Sequence, residues 1–386
     1  MELIEVKSKK DKKDFLELPL LIYKNDNQWI RPLNRDIESV FDPRQNKFFR
    51  HGNAIRWLLR DAEGNCIGRV AAFINEKTAR KEAQPTGGMG FFECINNRHA
   101  ATGLFDACKK WLAEKGMEAM DGPVNFGERD RWWGLLTEGF TFPVYCTNYN
   151  PPYYQKLFES YGFQTYFNQH CYSISITTHL HEKFYERYRK FSDDPDYTAT
   201  RISKNNLEKF AADFATIYNK AWATHAGNKQ MTREQVLLIF KKTKPILDED
   251  LAWFVYYKDV PIAFWFNIPD INPIVRHLNG KFGLFSKLKF VWLKKRGYCR
   301  KMIGIVFGIV PEFQGKGIDG YMILSGANVI QQLGKYDDLE MQWIGDFNPR
   351  MINIAEGIGA TRSRVLKTYR FLFDPEKEFK RYPMIH

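Results

Sequence analysis

The chain has 386 residues and a net charge of +12 at neutral pH, with 44% hydrophobic, 16% aromatic and 26% charged residues. This composition excludes a disordered chain, and a prior of roughly 150 residues per domain makes two domains the expectation. The positive balance favours an anionic partner, whether a phosphate-bearing cofactor, an acidic membrane face or nucleic acid.

The first residues, "MELIEVKSKKDKKDFLELP", contain no signal-type apolar core, and apolar runs such as 302–310 are far shorter than a membrane span of about 18 residues, so a cytoplasmic protein is expected. Cys66, Cys94, Cys108, Cys146, Cys171 and Cys299 lack any metal-ligand spacing, so reduced thiols and no metal are expected. Residues 54–75 predict two strands around a turn at Glu63-Gly64-Asn65. A strand over 88–96 and a helix over 100–116 follow, and then the segment "NPPYYQKLFESYGF" at 150–163. The polar stretch 190–199, with Pro195, marks a join, which divides the chain into units 1–194 and 195–386.

Beyond the join, helical patterning covers 207–222 and 231–247, the latter opened by a capping box of Thr232 and Gln235. Residues 251–272 predict a second hairpin, with its turn near Lys258-Asp259. A strand over 302–310, a glycine-rich turn, a helix and "NPRMINIAEGIGA" at 348–360 complete the unit. The two hairpins are offset by 197 residues, and so are Pro152, Glu159 and Gly162 from Pro349, Glu356 and Gly359. The chain therefore reads as an internal duplication, an α/β fold used twice.

In "IVPEFQGKGIDG", residues 309–320, a buried strand runs through glycines into a helix. Such a turn offers unpaired N–H groups and the positive end of a helix dipole to an anion. The loop resembles the V-x-P-x-x-[RQ]-G-x-G-[IV]-G motif of the GNAT superfamily of acyl-CoA-dependent N-acyltransferases, and "NPPYYQKLFESYGF" resembles that superfamily's later N-x-x-x-x-x-x-Y-E-x-x-G-F segment. The resemblance implies two tandem GNAT-like domains, each a mixed, mostly antiparallel sheet flanked by helices. It further implies acetyl-CoA or a longer acyl-CoA as co-substrate, without a metal.

By this resemblance Ile309 and Val310 pair with the pantetheine arm. Gln314, Gly315, Lys316, Gly317 and Gly320 surround the pyrophosphate, and Asn348 lies at the mouth of a cleft between diverging strands. Asp319 departs from the pattern, because a carboxylate beside a diphosphate repels it unless it turns away. The first half has only "CINNRHAATG" at the same place, without the Gln and the clustered glycines, and is expected to support the second half.

The resemblance implies attack of a neutral amine on the thioester, with a Tyr of the later helix protonating the leaving thiolate. Ala355 and Phe158 occupy that Tyr's position in the two halves. An amine of pKa near 10.4 is only about 0.04% neutral at pH 7, so a base is needed. Glu340, Asp346 and Asp270, near strand ends, are the candidate catalytic carboxylates; His225 and His277 are lone histidines read as bland.

Between the second hairpin and the 302–310 strand lies an insert absent from the first half. From Ile271 to Pro311 it carries nine Lys/Arg, within 276–301, and no Asp or Glu. If "FGLFSKLKFVWLKKR" is helical, Phe282, Phe285, Leu288 and Trp292 share one side, an amphipathic pattern suited to peripheral contact with the inner membrane face. A cover over the acyl site and attraction to the 3′-phosphate of CoA are the other uses of this segment.

The arrangement of "FDPRQNKFF", "GPVNF", "NYNPPYY", "PDIN", "NGKF" and "TYRFLF" is also similar to a bacterial branch of tandem GNAT-like proteins that includes bacterial ceramide synthases. That similarity implies a lipid amine, a sphingoid base, where the superfamily alone implies a small-molecule amine. Two other classes remain open: a non-catalytic acyl-CoA-binding protein, and Fem-type transfer from tRNA, for which no arginine-and-aromatic nucleic-acid motif is present.

Overall fold

A computed structural model describes residues 1–81, 84–221 and 230–385; His225 lies outside them. In chain order the first half contains β1 (Glu2–Glu5), α1 (Lys9–Ile22), α2 (Asn34–Val40), β2 (Gly52–Arg60), β3 (Cys66–Asn75), the one-turn α3 (Glu76–Ala79) and β4 (Thr86–Cys94). It continues with α4 (Arg98–Ala113), β5 (Ala119–Gly122), β6 (Leu135–Glu138), α5 (Tyr154–Tyr161) and β7 (Gln164–Ser175). α6 (Glu182–Ser192) closes it, and the second half contains β8 (Tyr197–Arg201), α7 (Leu207–Ala221), α8 (Arg233–Thr243), β9 (Ala252–Tyr257), β10 (Val260–Pro269) and α9 (Asn272–Val275). There follow α10 (Leu284–Lys295), β11 (Lys301–Ile309), α11 (Ile318–Leu333), β12 (Asp338–Gly345), α12 (Pro349–Gly357) and β13 (Thr361–Leu372).

Local chemistry explains several boundaries. The predicted capping box opens α8: Gln235 N–H donates to Thr232 Oγ1 at 3.3 Å and Thr232 N–H to Gln235 Oε1 at 3.0 Å. Lys258 and Asp259 take φ values of +48° and +63°, the two-residue turn whose twist matches that of β9 and β10. Gly162, at φ +112°, ends α5 in the left-handed conformation that glycine adopts most easily.

The strands form one sheet in the order β1-β2-β3-β4-β5-β13-β7-β12-β11-β10-β9-β8, with β6 also on β13. Only β4/β5 and β11/β12 are parallel, and α4 and α11 make the crossovers between their strands. The seam was not foreseen. β7, from the first half, pairs with β12, while β13, from the second, pairs with β5 and β6. Each half thus supplies a strand to the other's sheet, and β7 and β13 bind one another between them.

Helices cover both faces of the second half. Phe214 of α7 stacks on Phe264 of β10 at 4.3 Å. On the opposite face Gly326 of α11 lies so close to Trp253 and Trp265 that a Cβ would come within 3.0 and 2.9 Å of them. A third layer, the insert with α9 and α10, rests on Ile30 and Leu33 through Ile274, Val275 and Leu278.

Candidate active site

The site begins where two parallel strands part. β11 and β12 pair only from Lys301↔Asp338 to Gly304↔Met341, although β11 runs on to Ile309 and β12 to Gly345. Both strands carry an extra residue at this level. Ile305 is the unmatched residue of β11 against Phe266/Asn267, and β12 slips against β7 between Met341 and Ile344. An extra residue bends its strand, and here the two bends open a gap.

The edge left beside the gap is a row of main-chain groups. Val310 N–H donates to Ile262 O at 2.9 Å, so Val310 is tied to β10. Alternation then turns the main-chain groups of Phe307 and Ile309 towards the gap. Gln314 folds back, its Nε2 donating to Ile309 O at 2.9 Å. Of the two residues the resemblance assigned to the pantetheine arm, Ile309 faces the gap, whereas the N–H of Val310 is spent on β10.

At the end of β11, residues 311–313 make a short 3₁₀ turn, and Gly315 and Gly317 adopt φ values of +72° and +97°. Gly317 is the N-cap of α11 and provides no side-chain bond to the helix's first N–H groups. Gln314, Gly315 and Lys316 are exposed around this uncapped end.

Gly320 has a different duty. A Cβ there would meet Arg187 of α6 at 2.8 Å, and one at Gly317 would meet it at 3.0 Å. Arg187 crosses both glycines and ends on Asp319, with Nη1 2.6 Å from Oδ2. The departure from the motif at Asp319 is thus explained by a partner that the sequence reading missed. Its signal was the misplaced acid itself.

The three candidate carboxylates lie in different settings. Glu340, 2% exposed, accepts from Arg364 Nε at 3.0 Å and from Lys301 Nζ at 2.9 Å. Arg364, equally buried, also donates to the carbonyls of Thr141 and Phe142. Glu340 is therefore locked in a buried ion-pair network that ties β12 to β11 and β13. Asp346 accepts from Asn168 Nδ2 at 2.8 Å and Arg381 at 2.6 Å, a partly solvated pairing at the base of the C-terminal tail.

Asp270 lies just beyond β10 and is 4% exposed. Burial raises its pKa to about 6, and the nearby Glu340 carboxylate adds to the rise against Lys301. Both of its hydrogen bonds, from Tyr145 N–H at 3.1 Å and Asn272 N–H at 3.0 Å, fall on Oδ1. Asp270, Glu340 and Lys301 are brought together; Asp346 stands apart with Asn168 and Arg381.

Asn348 caps α12, its side chain accepting from Met351 N–H at 3.3 Å, while its own N–H reaches Gly345 O at 2.9 Å. Ala355 is fully buried in the core under α12, so no proton donor stands at that position. On the same helix Glu356 accepts from the Tyr172 hydroxyl of β7 at 3.0 Å.

The first half treats its corresponding strand edge differently. Cys94 at the end of β4 donates its N–H to Tyr154 Oη at 2.8 Å and accepts from the Tyr153 hydroxyl at 2.7 Å. Tyr154 in turn donates to Glu93, which Tyr23 and Arg69 also approach, and burial raises the Glu93 pKa. A cavity of about 80 Å³ remains beside them, lined by Trp29, Arg69, Glu93, Trp132 and Tyr145. It is well below the size of ordinary ligand pockets, and tyrosine side chains occupy the edge that stands open in the second half.

No family model matches the chain. It is 25% identical over 376 residues to a bacterial ceramide synthase of Caulobacter vibrioides, covering 96% of this chain and 97% of that protein. It is 26% identical over 369 residues to the protein YghO of Escherichia coli K12, covering 94% and 93%. Among solved structures, a tandem GNAT protein from the clavulanic acid biosynthesis pathway superposes with a TM-score of 0.56 at 10% identity, over 97% of this chain and 99% of that one. The chain has the tandem GNAT fold, and along nearly its whole length its sequence is similar to those of a bacterial ceramide synthase and of YghO.

Proposed function

We propose that the chain is an N-acyltransferase that moves an acyl group from a CoA thioester to an amine, in the cleft between β11 and β12 within the unit 195–386. The observation that carries this reading is the parting of those strands after Gly304 and Met341, directly before a glycine turn with an uncapped helix end. An extended amide arm has the strand edge at Phe307 and the N–H of Ile309 to pair with, beside the Ile309 carbonyl that Gln314 holds. A diphosphate has the N–H groups of the first turn of α11 and the exposed Lys316.

The thioester supplies the activated carbonyl. The amine nitrogen attacks that carbon, the C–N bond forms, the C–S bond breaks and CoA leaves as its thiolate. We assign the amine proton to Asp270, whose raised pKa of about 6 keeps it ionised yet basic near neutrality. With Ala355 at the usual donor's place, the thiolate takes its proton from water. Glu340 and Lys301 hold the cluster in position, and the unit 1–194, its own edge capped by Tyr153 and Tyr154, acts as a support.

For the acceptor, similarity to a bacterial ceramide synthase favours a long-chain amine of the sphingoid-base class over a small polar amine. The test is release of free CoA thiol from acetyl-CoA and palmitoyl-CoA in the presence of sphinganine or a short alkylamine, with acyl-CoA affinity measured separately. Thiol release only with the long pair supports the reading. Tight acyl-CoA binding with no turnover on either amine would favour a binding protein, and no binding at all would sink both.

A further inference from the structure

We propose that α10 is an interfacial helix that docks the protein on an anionic lipid surface. The inference extends the proposed function by naming where its lipid acceptor is met. Among the described residues no helix is long and apolar enough to cross a membrane, so any contact must be made from outside the bilayer.

The argument rests on which side of α10 is left uncovered. Phe290 and Leu293, at 8% and 3% exposure, seat the helix on the small core formed with Ile30, Leu33 and Ile274. On the other side Leu284, Phe285, Leu288, Val291 and Trp292 are 71%, 86%, 61%, 52% and 49% exposed. At about 100° per residue these five fall within an arc of roughly 120°, opposite the seated pair. Phe282, expected on this face, precedes the helix and packs instead beneath the Arg35 guanidinium, 3.7 Å from its ring centre.

The same geometry places basic groups along both margins of the apolar arc. Lys287 follows one margin, Lys289 and Arg296 the other, and Lys295 lies at the helix end, whereas the half-buried Lys294 turns its Nζ onto Pro245 O. Within the insert Arg300 pairs with Asp337 and Lys301 with Glu340; the remaining Lys and Arg have no carboxylate partner within 4 Å among the described residues. An apolar face rimmed by unneutralised cations is complementary to acyl chains beneath acidic headgroups. A second protein surface rich in acids would have to bury Phe285 in a matching hole, and this chain's own excess of positive charge disfavours a second copy.

The insert is also continuous with the proposed base. Ile271 and Ile274 belong to the core under α10, and Ile271 directly follows Asp270. A bilayer against α10 would thus be separated from the proposed base by that helix and the small core beneath it.

The experiment is sedimentation of the full chain with vesicles of phosphatidylglycerol and phosphatidylethanolamine, against vesicles of phosphatidylcholine alone, at low and high salt. Wild-type protein should bind the anionic vesicles, and salt should weaken that binding. Phe285→Ser with Leu288→Ser, and separately Lys287→Glu with Lys295→Glu, should each reduce it about tenfold or more. All four positions are exposed, so thermal unfolding should not change. Equal binding to both vesicle types, binding to neither, or binding unaltered by the variants would overturn the proposal. So would light scattering that shows a wild-type dimer converted to monomer by Phe285→Ser with Leu288→Ser. Sedimentation needs no turnover, so its failure leaves the acyltransferase reading intact, and loss of acyl-CoA binding would leave vesicle binding intact.

Discussion

Arg187, packed across Gly317 and Gly320, shows how one side chain conditions a helix end from another element. By holding Asp319, it withdraws a carboxylate from the helix end where a diphosphate is expected. Arg187→Ala should weaken acyl-CoA binding roughly tenfold by calorimetry, and adding Asp319→Asn should restore it; the pair's own contribution to stability is small because both groups are partly solvated. Asp270 gives a prediction of opposite character. Its folded pKa of about 6 exceeds the ordinary 3.8, so the folded state binds the proton more tightly than the unfolded chain. The resulting destabilisation grows as pH rises from about 4 to about 6 and is complete above that. Asp270→Asn, whose amide oxygen can still accept both N–H bonds, should therefore raise stability at pH 8 by about 1–3 kcal/mol and change it little at pH 4. Acyl transfer should fall at the same time, and chemical denaturation at the two pH values, with rates, checks both parts.

At the scale of elements, the parting of β11 and β12 depends on what holds their paired ends. Glu340 lies one step before the pairing ends and bonds Lys301 on β11 and Arg364 on β13. Glu340→Gln leaves the Arg364 charge buried without a counter-charge, which should cost about 3–5 kcal/mol in thermal unfolding. At a temperature where the variant stays folded, the rate should fall, but less than in Asp270→Asn, because Asp270 loses a positioning partner; a loss at least as large as that of Asp270→Asn without loss of stability would instead make Glu340 the base. Much at this scale was legible in the sequence. The Thr232/Gln235 box, the Lys258-Asp259 turn and the strand before the glycine turn depend on neighbours within a few residues, and all of them appear. The extra residue at Ile305 and the slip in β12 were not legible, because a bulge is defined by register against another strand. For the same reason Arg187 could not be paired with Asp319 from 132 residues away.

The whole molecule is a duplication whose halves are stitched together. The repeat was visible as an offset between segments, but alternation along β7 and β13 is the same whichever sheet they join, so their exchange was hidden. Calorimetry should show one unfolding transition for the chain. A chain ending at residue 360, without β13, should lose the folded first half along with the second, seen as collapse of near-UV circular dichroism across the spectrum. A surviving native-like first half would show the seam to be dispensable.

The exchange also sets a timetable for biosynthesis. β5, at residues 119–122, pairs with β4 on one side and finds its second neighbour only in residues 361–372. Until then the nascent protein carries an unprotected sheet margin while everything between the two strands is made. Messages cut short before residue 361 should yield aggregating polypeptides, and demand for chaperones should be concentrated in this interval.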